Sequence, residues 1–403
     1  MIRLLLPEGV DRAALPLLIG RALRAFVDGY VAVLLPAYLL ALGFGTWKVG
    51  FLSSATLLGS ALATLAVGTW GYRFHHRRLL LAAALLMIGT GLSFAGLSSF
   101  WPLLLIAFVG TLNPSSGDVS VFLPLEHARL AESAQGNART ALFAHYSVLG
   151  ALFAALGALA AAVPQWLTTH AGFTQLAALR GMFMFYALVG AVVWWLYRRL
   201  PEVATHDQVP PAPLTTSRRV VFRLAALFSI DAFAGGLVVN TLLALWLFQR
   251  FEVSLAAAGA FFFWSGLLTA ASQLAAPKVA QRIGLLNTMV FTHIPANVCL
   301  ILAALAPSLH LALGLLLLRA LLSQMDVPTR GAFVMAVVTP AERAAAASFT
   351  AVPRSLAAAL SPSLGGALFA AGWLAAPLLA CGGLKIAYDL LLWRAFRRIK
   401  PAT

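Results

Sequence analysis

Charged residues are scarce in this sequence. Only 10% of its 403 residues are Asp, Glu, Lys or Arg, whereas 61% are apolar. Soluble domains carry roughly 25% charged and 45–50% apolar residues, so the composition excludes an ordinary soluble fold. The acids are scarcest, with 13 Asp and Glu against 28 Lys and Arg. Since the basic residues lie in short loops between apolar runs, they indicate membrane orientation, and we expect no nucleic-acid partner.

Cysteine is almost absent, and catalytic motifs are missing. Cys299 and Cys381 both lie in apolar segments, with neither metal-ligand spacing nor a disulfide framework. The sequence contains no P-loop, no His-Glu-x-x-His and no Cys-x-x-Cys. We therefore expect no cofactor, no metal site and no enzymatic activity.

Long apolar runs dominate the chain. A run of about twenty such residues suits one membrane-spanning helix. By this criterion the sequence predicts an all-α membrane protein with about twelve spans. The predicted spans are 15–43, 48–70, 79–99, 102–126, 140–163, 181–199, 220–248, 254–276, 286–306, 309–338, 346–371 and 374–393.

The loops predict the orientation. Cytoplasmic loops of membrane proteins carry the excess of Lys and Arg. One set of loops is rich in both, and the opposite set has little beyond Lys48, Arg180 and Arg250. We therefore expect a multi-pass protein of the cell inner membrane, embedded in the lipid bilayer, with both termini cytoplasmic. The rich set comprises Arg73, Arg77, Arg78, Arg129, Arg139, Arg198, Arg199, Arg218, Arg219, Lys278, Arg282, Arg343, Arg394, Arg397, Arg398 and Lys400.

A polar, proline-containing stretch divides the chain. Residues 201–219 read PEVATHDQVPPAPLTTSRR, which is typical of a flexible linker. It separates an N-terminal six-helix bundle, 1–200, from a C-terminal six-helix bundle, 220–403. Matching features recur at the same spacing, to within one residue, in both halves: Arg73 with Arg282, Asp118 with Asp326, and Gly50 with Gly259. This indicates internal duplication, which is common in transporters.

The loop after the second predicted span carries a family motif. Residues 68–78 read GTWGYRFHHRR and resemble the Gly-x-x-x-Asp-Arg-x-Gly-Arg-Arg signature of the major facilitator superfamily. The second-half copy, 277–284, reads PKVAQRIG. Tyr72 and Gln281 replace the acid that helps to latch the two halves in that family. With the six-plus-six arrangement, the resemblance implies two pseudo-symmetric bundles, a central cavity lined by the first, fourth, seventh and tenth helices, and gating roles for Arg73 and Arg282.

One buried acid falls on each of the four cavity helices that the resemblance implies: Asp28, Asp118, Asp231 and Asp326. A charge near the centre of a bilayer costs a few kcal/mol and is usually functional. Asp231 has no basic residue within a turn or two, so we predict that Asp231 and Asp28 couple transport to protons. The alternatives are an ion pair of Asp28 with Arg24, four residues away, and a bridge from Asp231 to Arg24, Arg319 or Arg354 on another helix.

Asp118 and Asp326 occupy repeated positions, which predicts a pair of gate elements. Arg330 follows Asp326 by four residues, so the two can pair on one helical face. Pro328 lies between them and predicts a kink. Arg354, which follows Pro353 in the eleventh span, is assigned to the same gating group.

The predicted substrate contacts are polar residues at membrane depth. The segment beginning at Asn113 is polar and breakable, and exposed backbone at that depth is tolerated where it lines a cavity. A deep arginine such as Arg319 suits a carboxylate or a phosphate, or else neutralises a neighbouring aspartate. The full set is Arg24, Asn113, Ser115, Ser116, Asn240 and Arg319.

Three further ionisable residues have simpler interpretations. Lys385 and Asp389 are four apart in the twelfth span and predict a pair on one helix. His293 could titrate near neutral pH, but an isolated histidine on an apolar helix is more often a packing residue.

These features favour a secondary active transporter of a small molecule or ion. We expect a monomer that works by alternating access, is coupled to protons, and exports its solute by antiport. The alternative is a membrane sensor or scaffold that has this fold but transports nothing; the acids missing at Tyr72 and Gln281 favour it. A membrane-embedded enzyme would need a nucleophile or ligand cluster that the sequence lacks.

Overall fold

The chain folds into helices, and no strand occurs among the residues that the structure describes. The computed structural model describes residues 10–115, 120–134, 136–201, 215–339 and 342–398. The predicted all-α membrane fold is confirmed. The helices are α1 (Leu15–Ala41), α2 (Thr46–Trp70), α3 (His76–Gly96), α4 (Phe100–Val109), α5 (Phe122–Glu132), α6 (Gly136–Leu159), α7 (Val163–His170), α8 (Gln175–Tyr197), α9 (Arg218–Gly236), α10 (Asn240–Phe251), α11 (Leu255–Ile283), α12 (Leu285–Ala304), α13 (Leu309–Ser323), α14 (Asp326–Val337), α15 (Arg343–Ala370) and α16 (Ala376–Phe396).

Ten stretches of the described chain are long and apolar enough to cross a bilayer. Two predicted spans are not among them. The fourth is represented by the short apolar helix α4, and the eleventh, α15, carries Arg343, Arg354 and internal prolines. The exact number of twelve therefore stays a prediction.

Several predicted spans are divided into two helices. The seventh breaks after Gly235 and Gly236, where α9 ends, and resumes at Asn240. The tenth breaks at Gln324 and Met325, just before α14. The kink predicted at Pro328 thus lies earlier in the chain. Pro328 occupies the first turn of α14, where its missing N–H has no helical acceptor to lose.

The chain forms two compact units. The first contains the described residues of Met1–Gln208 together with Val253–Phe263, and the second contains those of Val209–Glu252 and Trp264–Thr403. The same pairs of helices pack together inside each unit. In the first, α1 packs on α6 and α3 packs on α8; in the second, α9 packs on α15 and α12 packs on α16. Each pair in the second unit corresponds to a pair in the first unit that lies six predicted spans earlier, which fits the duplication seen in the sequence.

The crossing of α1 and α6 requires glycine. A Cβ atom on Gly157 would overlap the backbone oxygen of Phe26, and one on Gly29 would overlap that of Ala154. Small residues of this kind let membrane helices approach closely. The close crossing brings Arg24 of α1 and Tyr146 of α6 within reach of one carboxylate.

The Glu342 carboxylate binds the backbone just before α9. The Glu342 carboxylate accepts hydrogen bonds from the backbone N–H groups of Thr215, Thr216 and Ser217 at 2.5, 2.9 and 2.9 Å. The hydroxyls of Thr215 and Thr339 donate to it at 2.8 and 2.9 Å. Hydrogen bonds from Ser217 and Thr215 lower the pKa of Glu342 from its ordinary value. The Glu342 carboxylate thus supplies acceptors for amides beside a helix N-terminus, where a negative charge is favourable.

Replacing Glu342 should weaken these hydrogen bonds and lower the thermal stability in a pH-dependent way. Because folding lowers the pKa of Glu342 from 4.5, the carboxylate stabilises the fold above that pH, and the effect is lost as the pH falls below it. We expect Glu342→Gln to lower the thermal midpoint in detergent at neutral pH, and the deficit to shrink below pH 4.5. The exposed Glu252 gives the matched control, Glu252→Gln. A deficit that stays constant through acid pH would contradict the assignment.

Candidate functional site

Glu126 is the centre of a buried polar cluster in the first unit. Its Oε1 and Oε2 atoms both lie 2.5 Å from Nη2 of Arg24. The hydroxyls of Tyr146 and Tyr197 donate to the same carboxylate. The Arg24 and Glu126 side chains are only 3% and 0% exposed. The cluster ties α1, α5, α6 and α8 together and leaves the carboxylate compensated by a cation and two hydroxyls.

Asp28 lies one turn along α1 from this cluster. The sequence left open an Arg24–Asp28 pair, but the structure gives the hydrogen bonds of Arg24 to Glu126. Asp28 is half-buried, and it lies within electrostatic range of Arg24, Arg21 and the phenols of Tyr30 and Tyr186. It is therefore an acid at membrane depth beside both cations and phenols.

Asp231 is the centre of a second buried cluster, in the second unit. Lys385 Nζ lies 2.5 Å from Asp231 Oδ1, and Arg330 Nη2 lies 3.3 Å from Asp231 Oδ2. Arg330 also donates to Asp326 on its own helix, which confirms the predicted pair. The guanidinium stacks over the Phe228 ring at 5.4 Å from the centroid. Two aspartates and two cations thus neutralise one another across α9, α14 and α16.

This arrangement decides two alternatives that the sequence posed. Asp231 has no basic residue within a turn or two of its own helix, and the bridge to another helix that the sequence left open is present, with Lys385 and Arg330 as the partners in place of Arg24, Arg319 or Arg354. The predicted pair between Lys385 and Asp389 on α16 is wrong, because Lys385 binds Asp231 and Asp389 binds a histidine. If Lys385 paired with Asp389 instead, the Asp231 carboxylate would lose one of its two cations. Asp231 is only 2% exposed, so this loss would be costly.

His293 is the partner of Asp389. Its Nδ1 atom lies 3.0 Å from both carboxylate oxygens. The side chains are 4% and 1% exposed, and the Tyr388 ring meets the imidazole edge to face at 6.3 Å. The pair joins α12 to α16, so His293 has a specific ionic partner in addition to its packing contacts.

The predicted polar segment of the fourth span forms a local turn. Asn113 is 2% exposed, and its Oδ1 accepts hydrogen bonds from Ser115 N at 3.1 Å and Ser115 Oγ at 2.8 Å. Asn240 begins α10, directly after the break in the seventh span. Ser116 and Asp118 lie outside the described residues.

The remaining predicted arginines lie apart from one another. Arg319 lies within electrostatic range of Cys299 and Cys381, and its Nε atom has no hydrogen-bond partner in the described chain. Arg354 is exposed, and it lies within range of the Arg330 cluster. The side chains of Arg73 and Arg282 are exposed beside helix ends. No three His, Cys, Asp or Glu side chains lie together as a metal site in the residues that the structure describes.

Sequence reasoning missed Glu126. It was the last residue of the predicted fourth span, where an acid is readily taken for a boundary residue. The duplication gave no help, since the corresponding position of the second half is apolar. One signal was available: Arg24 is deep in an apolar helix and needs an anion, and few acids exist in the chain to supply one.

Comparison with known proteins agrees with this architecture. A family model described as Major Facilitator Superfamily matches residues 17–325. The uncharacterized membrane protein YJR124C of Saccharomyces cerevisiae is 24% identical over 406 residues, covering 92% of this chain and 91% of the yeast protein. The nucleoside transporter NupG superposes with a TM-score of 0.72 at 15% identity, covering 97% of this chain and all (100%) of NupG. A D-xylose-proton symporter gives the same TM-score, 0.72, at 15% identity, covering 94% of this chain and 97% of the symporter.

Removing one charge of the Asp231 cluster should cost more than removing a matched pair. Lys385→Met leaves an excess buried carboxylate, and breaking a buried ion pair in this way costs about 3–5 kcal/mol. Adding Asp231→Asn leaves the Asp326–Arg330 pair balanced, so the double variant should recover part of the loss. Thermal midpoints of the two single variants and the double variant in detergent give the coupling. Strictly additive midpoints would show that the observed contact does not hold these helices.

Proposed function

The chain belongs to the Major Facilitator Superfamily, and from this premise we propose that it is a secondary active transporter of a small polar solute, working by alternating access. The observation that carries the proposal is that each unit keeps a fully buried ion-pair cluster. Charged side chains at membrane depth cost a few kcal/mol and are usually paired and retained for function. The transporters of similar fold support this assignment and leave the solute open.

We place solute contacts at the broken helices of each unit. Breaks leave backbone groups without helical partners, and in a membrane such groups are tolerated where they line a watery cavity. In the first unit the break presents Asn113 and Ser115. In the second unit the corresponding group is Asn240, at the break between α9 and α10. These residues offer amide and hydroxyl groups, which suit a solute with several hydrogen-bonding groups.

We propose Arg330 as the gating residue of the second unit. Its guanidinium is shared between Asp326 on its own helix and Asp231 on α9. The contact with Asp231 is the longer of the two, so it is the one that can open while Arg330 keeps a carboxylate partner. A movement of α9 relative to α14 would then cost a single contact.

We also propose that transport is coupled to protons, with Asp28 as the acid of the first unit. Asp28 is half-buried at membrane depth and lies within electrostatic range of Arg24, Arg21 and the phenols of Tyr30 and Tyr186. Antiport was expected because no basic residue lies near Asp231 in the sequence. Lys385 and Arg330 both contact Asp231 in the structure, so we propose proton coupling and leave open whether solute and proton move in the same or in opposite directions.

A ligand screen followed by transport tests this function. Nucleosides, pentoses, dipeptides and organic anions are screened by thermal shift on the purified protein, since a ligand that binds the fold raises its apparent stability. Hits are then assayed in proteoliposomes with an imposed pH gradient. One pH unit can drive about tenfold accumulation per coupled proton. We expect Asp28→Asn to bind the hit but to lose this accumulation, while Glu252→Gln keeps both.

The outcomes separate the alternatives. Undiminished accumulation by Asp28→Asn would exclude Asp28 as the coupling acid. Binding without transport in the parent protein would support the sensor hypothesis.

The orientation is a separate prediction. We expect both termini on the cytoplasmic side, because the basic loops predict it. A fluorescent protein that matures only in the cytoplasm, fused after residue 398, should be bright, and one inserted after Gly43 should be dark. The reverse pattern would invert the assigned topology.

A further inference from the structure

Proton coupling in the second unit requires a group that changes charge at modest cost. Asp231 is poorly suited, because Lys385 and Arg330 both contact it and would lose their shared carboxylate if it took up a proton. Asp326 is equally committed to Arg330. These four side chains carry two negative and two positive charges. The cluster is neutral as it stands, and adding a proton would leave an uncompensated cation at membrane depth.

The His293–Asp389 pair is chemically different. Its contact joins a carboxyl group to an imidazole, the kind of side chain that most readily gains or loses a proton in the physiological pH range. With neutral imidazole the pair carries one negative charge. With one added proton it carries none, whether that proton resides on Nδ1 or on a carboxylate oxygen 3.0 Å away. A buried site therefore becomes neutral on protonation.

The surroundings of the pair link it to the Asp231 cluster. Lys385 lies one turn before Asp389 on α16, and Asp231 of α9 is within electrostatic range of both His293 and Asp389. Tyr388 adjoins the imidazole, and it lies within range of the Arg330 and Asp326 side chains of α14. Arg354 of α15 lies within electrostatic range of Asp231, Asp326 and Tyr388, and Arg319 of α13 lies within range of Cys299 on α12 and Cys381 on α16. Lys385 thus lies between two carboxylates, Asp231 and Asp389.

We propose that the His293–Asp389 pair is the proton-carrying site of the second unit, and that Lys385 transmits its charge state to Asp231. When the pair holds a proton, Asp389 is compensated and Lys385 remains on Asp231. When a proton leaves to water, Asp389 regains an uncompensated charge and competes for Lys385 within one helical turn. Asp231 then keeps only the weaker Arg330 contact, and α9 is released from α16. The step moves one proton and forms or breaks no other covalent bond. This inference rests on the proposed function.

Infrared spectroscopy of the protein in lipid nanodiscs tests the assignment without a solute. The C=O stretch of protonated carboxyl groups is recorded between about pH 5 and about pH 8, the window in which a histidine–carboxylate pair should titrate. We expect the parent protein to show a carboxyl band that titrates in this window and is missing in Asp389→Asn. His293→Asn should shift the midpoint of that band by about one pH unit or more, because the carboxyl loses its ionic partner. The double variant Asp231→Asn with Lys385→Met should keep the band.

The proposal is overturned if Asp389→Asn removes neither a titrating carboxyl band nor the titration of one imidazole 15N signal, or if the double variant removes the same signal. Where Asp389→Asn does not fold, the same decision comes from His293→Asn together with the 15N shifts of labelled histidine in the parent. One imidazole should change protonation in the window and be missing in the variant, and its absence counts against the pair. The result is independent of transport: an intact titration without transport of any hit refutes the proposed function alone, whereas pH-driven transport without this titration refutes the pair alone.

Discussion

Inside a bilayer, a charged side chain needs a partner of opposite charge, and this constraint organises both units. A single charge at membrane depth costs a few kcal/mol on its own, so each deep arginine, lysine or aspartate in the two clusters contacts an opposite charge. Except for the Asp326–Arg330 pair within α14, these contacts join two different helices. Arg24 finds Glu126 across α1 and α5, and Lys385 finds Asp231 across α16 and α9. The ion pairs therefore fix which helices are neighbours. The apolar side chains around them then fill the remaining space.

Glycine brings the helices that carry these charges close to a neighbouring helix. At the α9–α15 contact, a Cβ on Gly236 would overlap Ser361 and the backbone of Ala358, just as Gly157 admits Phe26 in the first unit. The abundance of small residues in the sequence thus has a specific consequence. They allow α1, which carries Arg24, and α9, which carries Asp231, to pack closely within their units.

The parts of this architecture that could be read from the sequence are those set by local pattern. Apolar runs predict the helices, a repeated spacing predicts the duplication, and a four-residue spacing predicts the Asp326–Arg330 pair. The same four-residue rule failed for Lys385 and Asp389. Periodicity tells which residues share a face of one helix, but not which helix lies opposite that face. Local pattern did not predict the partner of Glu126, which is Arg24, or that of Lys385, which is Asp231, because each partner lies far away along the chain.

The two clusters differ in how firmly each charge is held, and that difference bears on mechanism. Glu126 has a guanidinium and two tyrosine hydroxyls on one carboxylate, so no single movement releases it, and the cluster suits a fixed anchor. In the second unit Arg330 contacts two aspartates, and Lys385 contacts Asp231 while lying within electrostatic range of Asp389. A cation with a second carboxylate nearby has an alternative partner, and a change in charge nearby alters which partner it favours. Switching between packed states requires such a bistable element, since an equilibrium moves only when a ligand or proton favours one arrangement over the other. The compensation that makes these charges tolerable in the membrane is thus also what makes those of the second unit exchangeable.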